Sequence, residues 1–187
     1  MAVCKDFFLA LNLFFAFFDL IIVRTGNASS FFVIFINMSD CFEKLLEKSQ
    51  ENENAAIKCK ENEYFNAGAS RAYYSIFQLA KAFLIKKNFD YRKFIESHPE
   101  KYHSDEKDYS HGSIADALIQ CIKENYQEDK KQTECIVKIK TMMKPLYLSR
   151  MKADYKENEC MSKMDIGICL NQLKQIKESI QQLETSN

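Results

Sequence analysis

Residues that turn a chain sharply are scarce here: four glycines and two prolines stand among 187 residues. A protein of many short strands needs a turn about every ten residues, so this shortage excludes most sandwiches and barrels and favours helices. Net charge is also lacking, because Lys and Arg together number 26 and so do Asp and Glu. No global field draws the chain to a polyanion or an acidic membrane, and any such contact must be local. There is no glycine-rich phosphate loop, no Gly-x-Ser-x-Gly and no His-Glu-x-x-His. The P-loop, nucleophile-elbow and zincin chemistries therefore have no foothold.

Close cysteine pairs are absent as well. Cys4, Cys41, Cys59, Cys121, Cys135, Cys160 and Cys169 never come nearer than nine residues, which leaves no Cys-x-x-Cys for zinc or dithiol exchange. An odd, dispersed set reads as reduced thiols used as small apolar fillers. The folded part is therefore expected to be cytoplasmic.

What is present divides at Met38. Residues 1–37 carry the apolar run "FFLALNLFFAFFDLIIV", 17 residues from Phe7 to Val23, and a second run "FFVIFI". The first sits at the lower limit for crossing a bilayer, and Asn12 and Asp19 count against a span. A signal peptide fits poorly too, since Asp6 offsets Lys5 and the run exceeds a usual apolar core. A third reading starts translation at Met38 and makes 1–37 upstream sequence. Membrane contact is then expected only if 1–37 is translated, with residues 7–23 as the anchor. After Met38 the composition changes at once to "SDCFEKLLEKSQ", where Asp40 and Glu43 have capping-box spacing. The domain is expected over 38–187.

Helical periodicity runs through that domain. Apolar or small residues at Phe42, Leu45, Leu46, Ser49, Ala56 and Cys59 mark one face from Cys41 to about Lys60. Ala69, Ala72, Tyr73, Ile76, Phe77, Ala80, Phe83 and Leu84 form the strongest stripe, and their small members predict a central helix approached closely by its neighbours. Between Asn88 and Gly112 the period is lost, and His98, His103 and His111 fall in what reads as a long surface connection. Their spacing matches no metal-ligand pattern, so no metal and no cofactor are expected. Ser113 with Asp116 predicts a capped third helix, and a fourth starts near Thr133 and kinks or restarts at Pro145. Ser162 with Asp165 caps the last, which carries Ile166, Cys169, Leu173, Ile176, Ile180 and Leu183. The fold class is all-α, an antiparallel up-down bundle of about five helices.

Three segments in order, "SRAYYSIFQLAKAFLIKKN" (Ser70–Asn88), "HGSI" (His111–Ile114) and "SRMKADY" (Ser149–Tyr155), resemble the HEPN-domain proteins, most of all their small stand-alone prokaryotic branch. The resemblance implies a homodimeric bundle, a minimal nucleotidyltransferase as partner, a place in toxin–antitoxin or defence systems, and, in many members, RNA cleavage without metal. Those nucleases carry Arg and, after four to six intervening residues, His. Here Arg150 takes the first position, but the next candidates are Tyr155, Lys156 and Glu157, and no histidine follows Arg150 anywhere. A phenol, with an ordinary pKa of about 10, is a poor base at neutral pH where an imidazole is well placed.

The expectation that follows is a binding or partner module contacting RNA, a nucleotide or the nucleotidyltransferase through Arg71, Tyr74, His111, Arg150 and Asp154. The alternative is a metal-independent endoribonuclease toxin with Arg150 and Tyr155 as catalytic residues at a dimer interface. Beside both stands a plainer reading, in which Arg150 and Asp154 are an i,i+4 ion pair. Tyr73 belongs to the apolar stripe, while Tyr74, 100° round the helix, shares a face with Arg71 and Gln78. Tyr155 caps the core with its hydroxyl outward, or, on the resemblance alone, accepts a nucleotidyl group.

Overall fold

A computed structural model describes residues 28–102 and 109–185, with side chains from Cys41 onward. The apolar run 7–23 and His103 lie outside the described residues. Among those described, six helices and no strand occur: α1 (Ala28–Glu61), α2 (Phe65–Lys86), α3 (Tyr91–Glu96), α4 (Ile114–Asn125), α5 (Lys130–Tyr155) and α6 (Lys163–Glu184). They give the all-α antiparallel bundle. No helix among the described residues is long and apolar enough to cross a membrane. The chain divides into two compact units, Met1–Asp40 and Cys41–Asn187. In the first, the backbone of 28–40 is helical; the second holds the bundle.

α2 is the centre, packed against α4, α5 and α6. Its stripe of Ala69, Ala72, Tyr73, Ile76, Phe77, Ala80, Phe83 and Leu84 is buried, as its period predicts. Small residues set the spacing. A Cβ on Gly68 would lie 3.0 Å from Ile166 Cδ1 of α6 and 3.2 Å from Cys59 Cβ of α1, so three helices meet where only hydrogen fits. Two serines lock α1 to α2 reciprocally: Ser49 Oγ donates to the Ser75 carbonyl at 2.9 Å and Ser75 Oγ to the Ser49 carbonyl at 2.8 Å. Lys177 of α6 pairs with Glu53 of α1.

Helix ends follow local chemistry. α1 stops where Glu63 takes φ 63°, with Tyr64 N–H bonded to the Cys59 carbonyl at 2.8 Å and Glu63 N–H to Lys60 at 3.4 Å. α2 stops in the same way at Asn88 (φ 51°), with Phe89 N–H on Leu84 and Asn88 N–H on Ile85. The capping box at Ser162 and Asp165 forms with both of its bonds.

Several boundaries differ from the sequence reading. The backbone is already helical through Asp40, so Asp40 and Glu43 open no helix; their spacing fits equally one face of a helix under way. Ser113 stands at the start of α4 but does not cap it, because its hydroxyl is engaged by Tyr91 and Ser110. α5 starts at Lys130, capped by Asp129, whose carboxylate accepts from Gln132 N–H at 2.7 Å. It then runs through Pro145 without a break. Pro145 forfeits the bond to the Thr141 carbonyl, yet Ile139, Met143 and Leu146 on either side are buried, and that packing holds the helix. Within the stretch after Asn88, residues 89–102 are no mere surface connection. Asp90 caps α3 by accepting from Lys93 N–H, and Tyr91, Phe94, Ile95 and Tyr102 are buried.

Candidate functional site

Tyr73 and Tyr74 are adjacent on α2 and diverge by a helical step, so each serves a different side of the bundle. Tyr74 faces the end of α5, where Arg150 is only 8% exposed. Arg150 Nη2 donates to Tyr74 Oη at 2.9 Å and to Tyr155 Oη at 2.8 Å, and Nη1 to Met151 Sδ at 3.3 Å. The guanidinium also lies over both rings, 5.4 Å from the centre of Tyr74 and 4.7 Å from that of Tyr155. Its Nε is 2.9 Å from Asp154 Oδ2, an ion pair across one turn that lacks hydrogen-bond direction. Asp154 in turn accepts from Ser70 Oγ of α2 at 3.1 Å. Burial works to lower the Arg150 pKa, but Tyr74, Tyr155 and Asp154 outweigh it and hold it above the ordinary value. The guanidinium is thus a permanent, well-clasped cation.

Tyr73 faces the other way, and its hydroxyl meets His111 Nδ1 at 2.7 Å. Burial, then the Tyr147 phenol, raise the Tyr73 pKa well above its ordinary value against the pull of Arg150, so the phenol stays protonated. A protonated Tyr73 can donate to Nδ1 of a neutral imidazole that carries its proton on Nε2. Burial, then the charges of Arg150 and Lys81, lower the His111 pKa. His111 is therefore neutral at pH 7, inside an aromatic cage: its ring centre is 4.5 Å from Phe77, 6.0 Å from Tyr74 and 6.0 Å from Tyr147.

The two halves touch, because the rings of Tyr73 and Tyr74 are 5.8 Å apart and edge-on. Beside the His111 half opens a cleft of about 410 Å³ between α4 and α5, whose lining includes Tyr73, His111, Asp116, Ile139, Lys140, Met143, Lys144 and Tyr147.

Of the residues picked from the sequence, Tyr74, Arg150, Asp154 and Tyr155 come together directly, and His111 joins them through the two tyrosines. Arg71 does not: it is exposed and donates to Asn52 of α1 at 3.3 Å. Tyr155 is 61% exposed, with its hydroxyl turned back to Arg150. Lys140, Lys144 and Tyr147 escaped the sequence reading. Their spacing of 4 and 3 puts them on one helical face that leads on to Arg150, but a break at Pro145 hides that continuity. Among the described residues, no group of three His, Cys, Asp or Glu could hold a metal ion.

Comparison with known families gives a match to the HEPN domain over residues 42–96. The match takes in α1 from Phe42, all of α2 with Tyr73 and Tyr74, and α3; it stops before His111 and Arg150. No curated protein and no solved structure matches the chain.

Proposed function

Taking the chain as a HEPN-domain protein, we propose that it is an RNA-contacting module of a toxin–antitoxin or defence system, one that binds without cutting. The observation carrying this reading is the state of Arg150. Its guanidinium is occupied by two phenols and a carboxylate, and in the sequence Tyr155 takes the position at which the resemblance calls for an imidazole. A phenol whose oxygen already accepts a bond from a cation is poorly placed to take a proton from a 2′-hydroxyl. What the cluster offers instead is a planar cation partly balanced by Asp154, and aromatic surface, which suit a phosphate and a base. Leu148 and Tyr155, two turns apart on α5 and 54% and 61% exposed, leave an apolar edge beside the site that suits a second copy of the chain. A minimal nucleotidyltransferase is the other partner proposed.

A second reading, a metal-independent endoribonuclease working through Arg150 at the dimer interface, draws on the presence of His111 close to the cluster. The full chain incubated with labelled single-stranded RNA in EDTA separates the two. Binding is expected with the RNA left intact, weakened by Arg150→Lys, which keeps the charge but loses the planar fork. Cleavage that vanishes in Arg150→Lys and in His111→Gln would replace the binding reading with the nuclease.

A further inference from the structure

The cleft between α4 and α5 shares Tyr73 and His111 with the edge of the Arg150 cluster, the rest of its lining lies outside that cluster, and its chemistry is of two kinds. The floor is apolar, from Ile119, Ile139 and Met143, and one wall is aromatic. Tyr147 and His111 stand there at 24° to one another with ring centres 6.0 Å apart, close to parallel. The rim is cationic. Lys140 and Lys144, one turn apart on α5 and both exposed, have no acidic partner among the described residues. The carboxylate at the rim, Asp116, is already taken by Lys101 and by Tyr102. At about 410 Å³ the cleft is of the size that holds one small flat molecule, too small for a helix or a strand of another protein.

We infer that this cleft takes one unpaired base of a single-stranded RNA, laid against Tyr147 and His111, with the flanking phosphates on Lys140 and Lys144. The inference rests on the RNA-binding reading and adds to it the kind of RNA and the place of contact. A flat π-surface beside a pair of cations with no acidic partner among the described residues matches a base and its phosphate. A base stacked inside a duplex cannot enter such a cleft without being flipped out, so the site favours single strands. The face of α5 carrying Lys140, Lys144 and Tyr147 continues to Arg150, about 15 Å from Lys140 along the axis. The strand would run along that face toward the arginine.

The test uses the full chain and a short oligoribonucleotide carrying one 2-aminopurine, whose emission is not confused with tryptophan because the chain has none. Quenching on binding is expected for the single strand and absent for the same strand in a duplex. Tyr147→Leu should abolish the quenching and weaken binding about tenfold or more. Lys140→Gln with Lys144→Gln, at exposed positions that leave the core untouched, should lower the slope of log affinity against log salt by about 1.4. The inference is overturned if RNA binding depends on Arg150 while the quenching survives Tyr147→Leu or the salt slope survives the double lysine change; the RNA-binding reading would then still stand. It is also overturned if an acidic peptide, or a nucleoside monophosphate alone, binds as tightly as the strand. Absence of any RNA binding defeats both.

Discussion

Replacing Arg150 by Ala removes a cation from a nearly closed place, and the structure sets the size of the loss. Tyr155 is mostly in solvent and can turn to water, so its bond counts for little. Asp154 keeps its bond from Ser70, and its side chain is 28% exposed, so the ion pair is worth well under its buried value. The hydroxyl of Tyr74 is partly buried and loses a charged donor, worth about 1.5–3 kcal/mol. The rings of Tyr74 and Tyr155 lose a cation, and the aliphatic stem of Arg150 leaves a gap. After solvent discounts, the total is about 2–4 kcal/mol. For a chain of this length that lowers the unfolding temperature by roughly 5–15 °C, measured by far-ultraviolet circular dichroism. Tyr74→Phe should cost about 1 kcal/mol or more, and the double mutant should lose less than the two single losses added, with a coupling of about 1 kcal/mol. Additive losses would refute the clasp. So would an Arg150→Ala protein as stable as wild type.

Two further outcomes test other parts of the structure. The depressed pKa of His111 means that the unfolded chain takes up a proton near pH 6.5 that the folded chain refuses. Its contribution to stability is then full above pH 6.5 and falls as the pH drops from there to the folded value; unfolding by urea at pH 7.5 and 5.5 should show a smaller acid loss in His111→Gln than in wild type, and equal losses would contradict the caged, neutral imidazole. Glu63, at φ 63°, holds a left-handed position that side chains resist. Glu63→Gly should stabilise the chain by about 1 kcal/mol in thermal unfolding, and a destabilised variant would mean that this turn is not as described.

Much of the bundle was legible because a helix writes its buried face into a 3.6-residue period. The stripe from Ala69 to Leu84 named the central helix, and Ser162 with Asp165 named a helix start that forms as read. Where tertiary packing competes with local rules, the rules failed. Pro145 reads as a kink or a fresh start, and no fresh start occurs: the buried Ile139, Met143 and Leu146 keep α5 one helix, and with it the face joining Lys140 to Arg150. The aperiodic stretch after Asn88 reads as surface, yet Tyr91, Phe94 and Tyr102 are inside; a helix of six residues is too short to show a period.

The sequence by itself determined that the chain is helical, which faces are apolar, and that Arg150 is followed by Tyr155 and by no histidine. Those are local facts, fixed by composition and spacing within one helix. Only the tertiary structure decided who meets whom: that Tyr74 reaches Arg150 across 76 residues, that Tyr73 reaches His111 across 38, and that Arg71 turns to Asn52 instead. Periodicity tells a residue whether it faces the core, but the partner waiting there is set by how helices cross. That crossing depends on contacts such as Gly68 against Ile166 and Cys59, which no single helix contains.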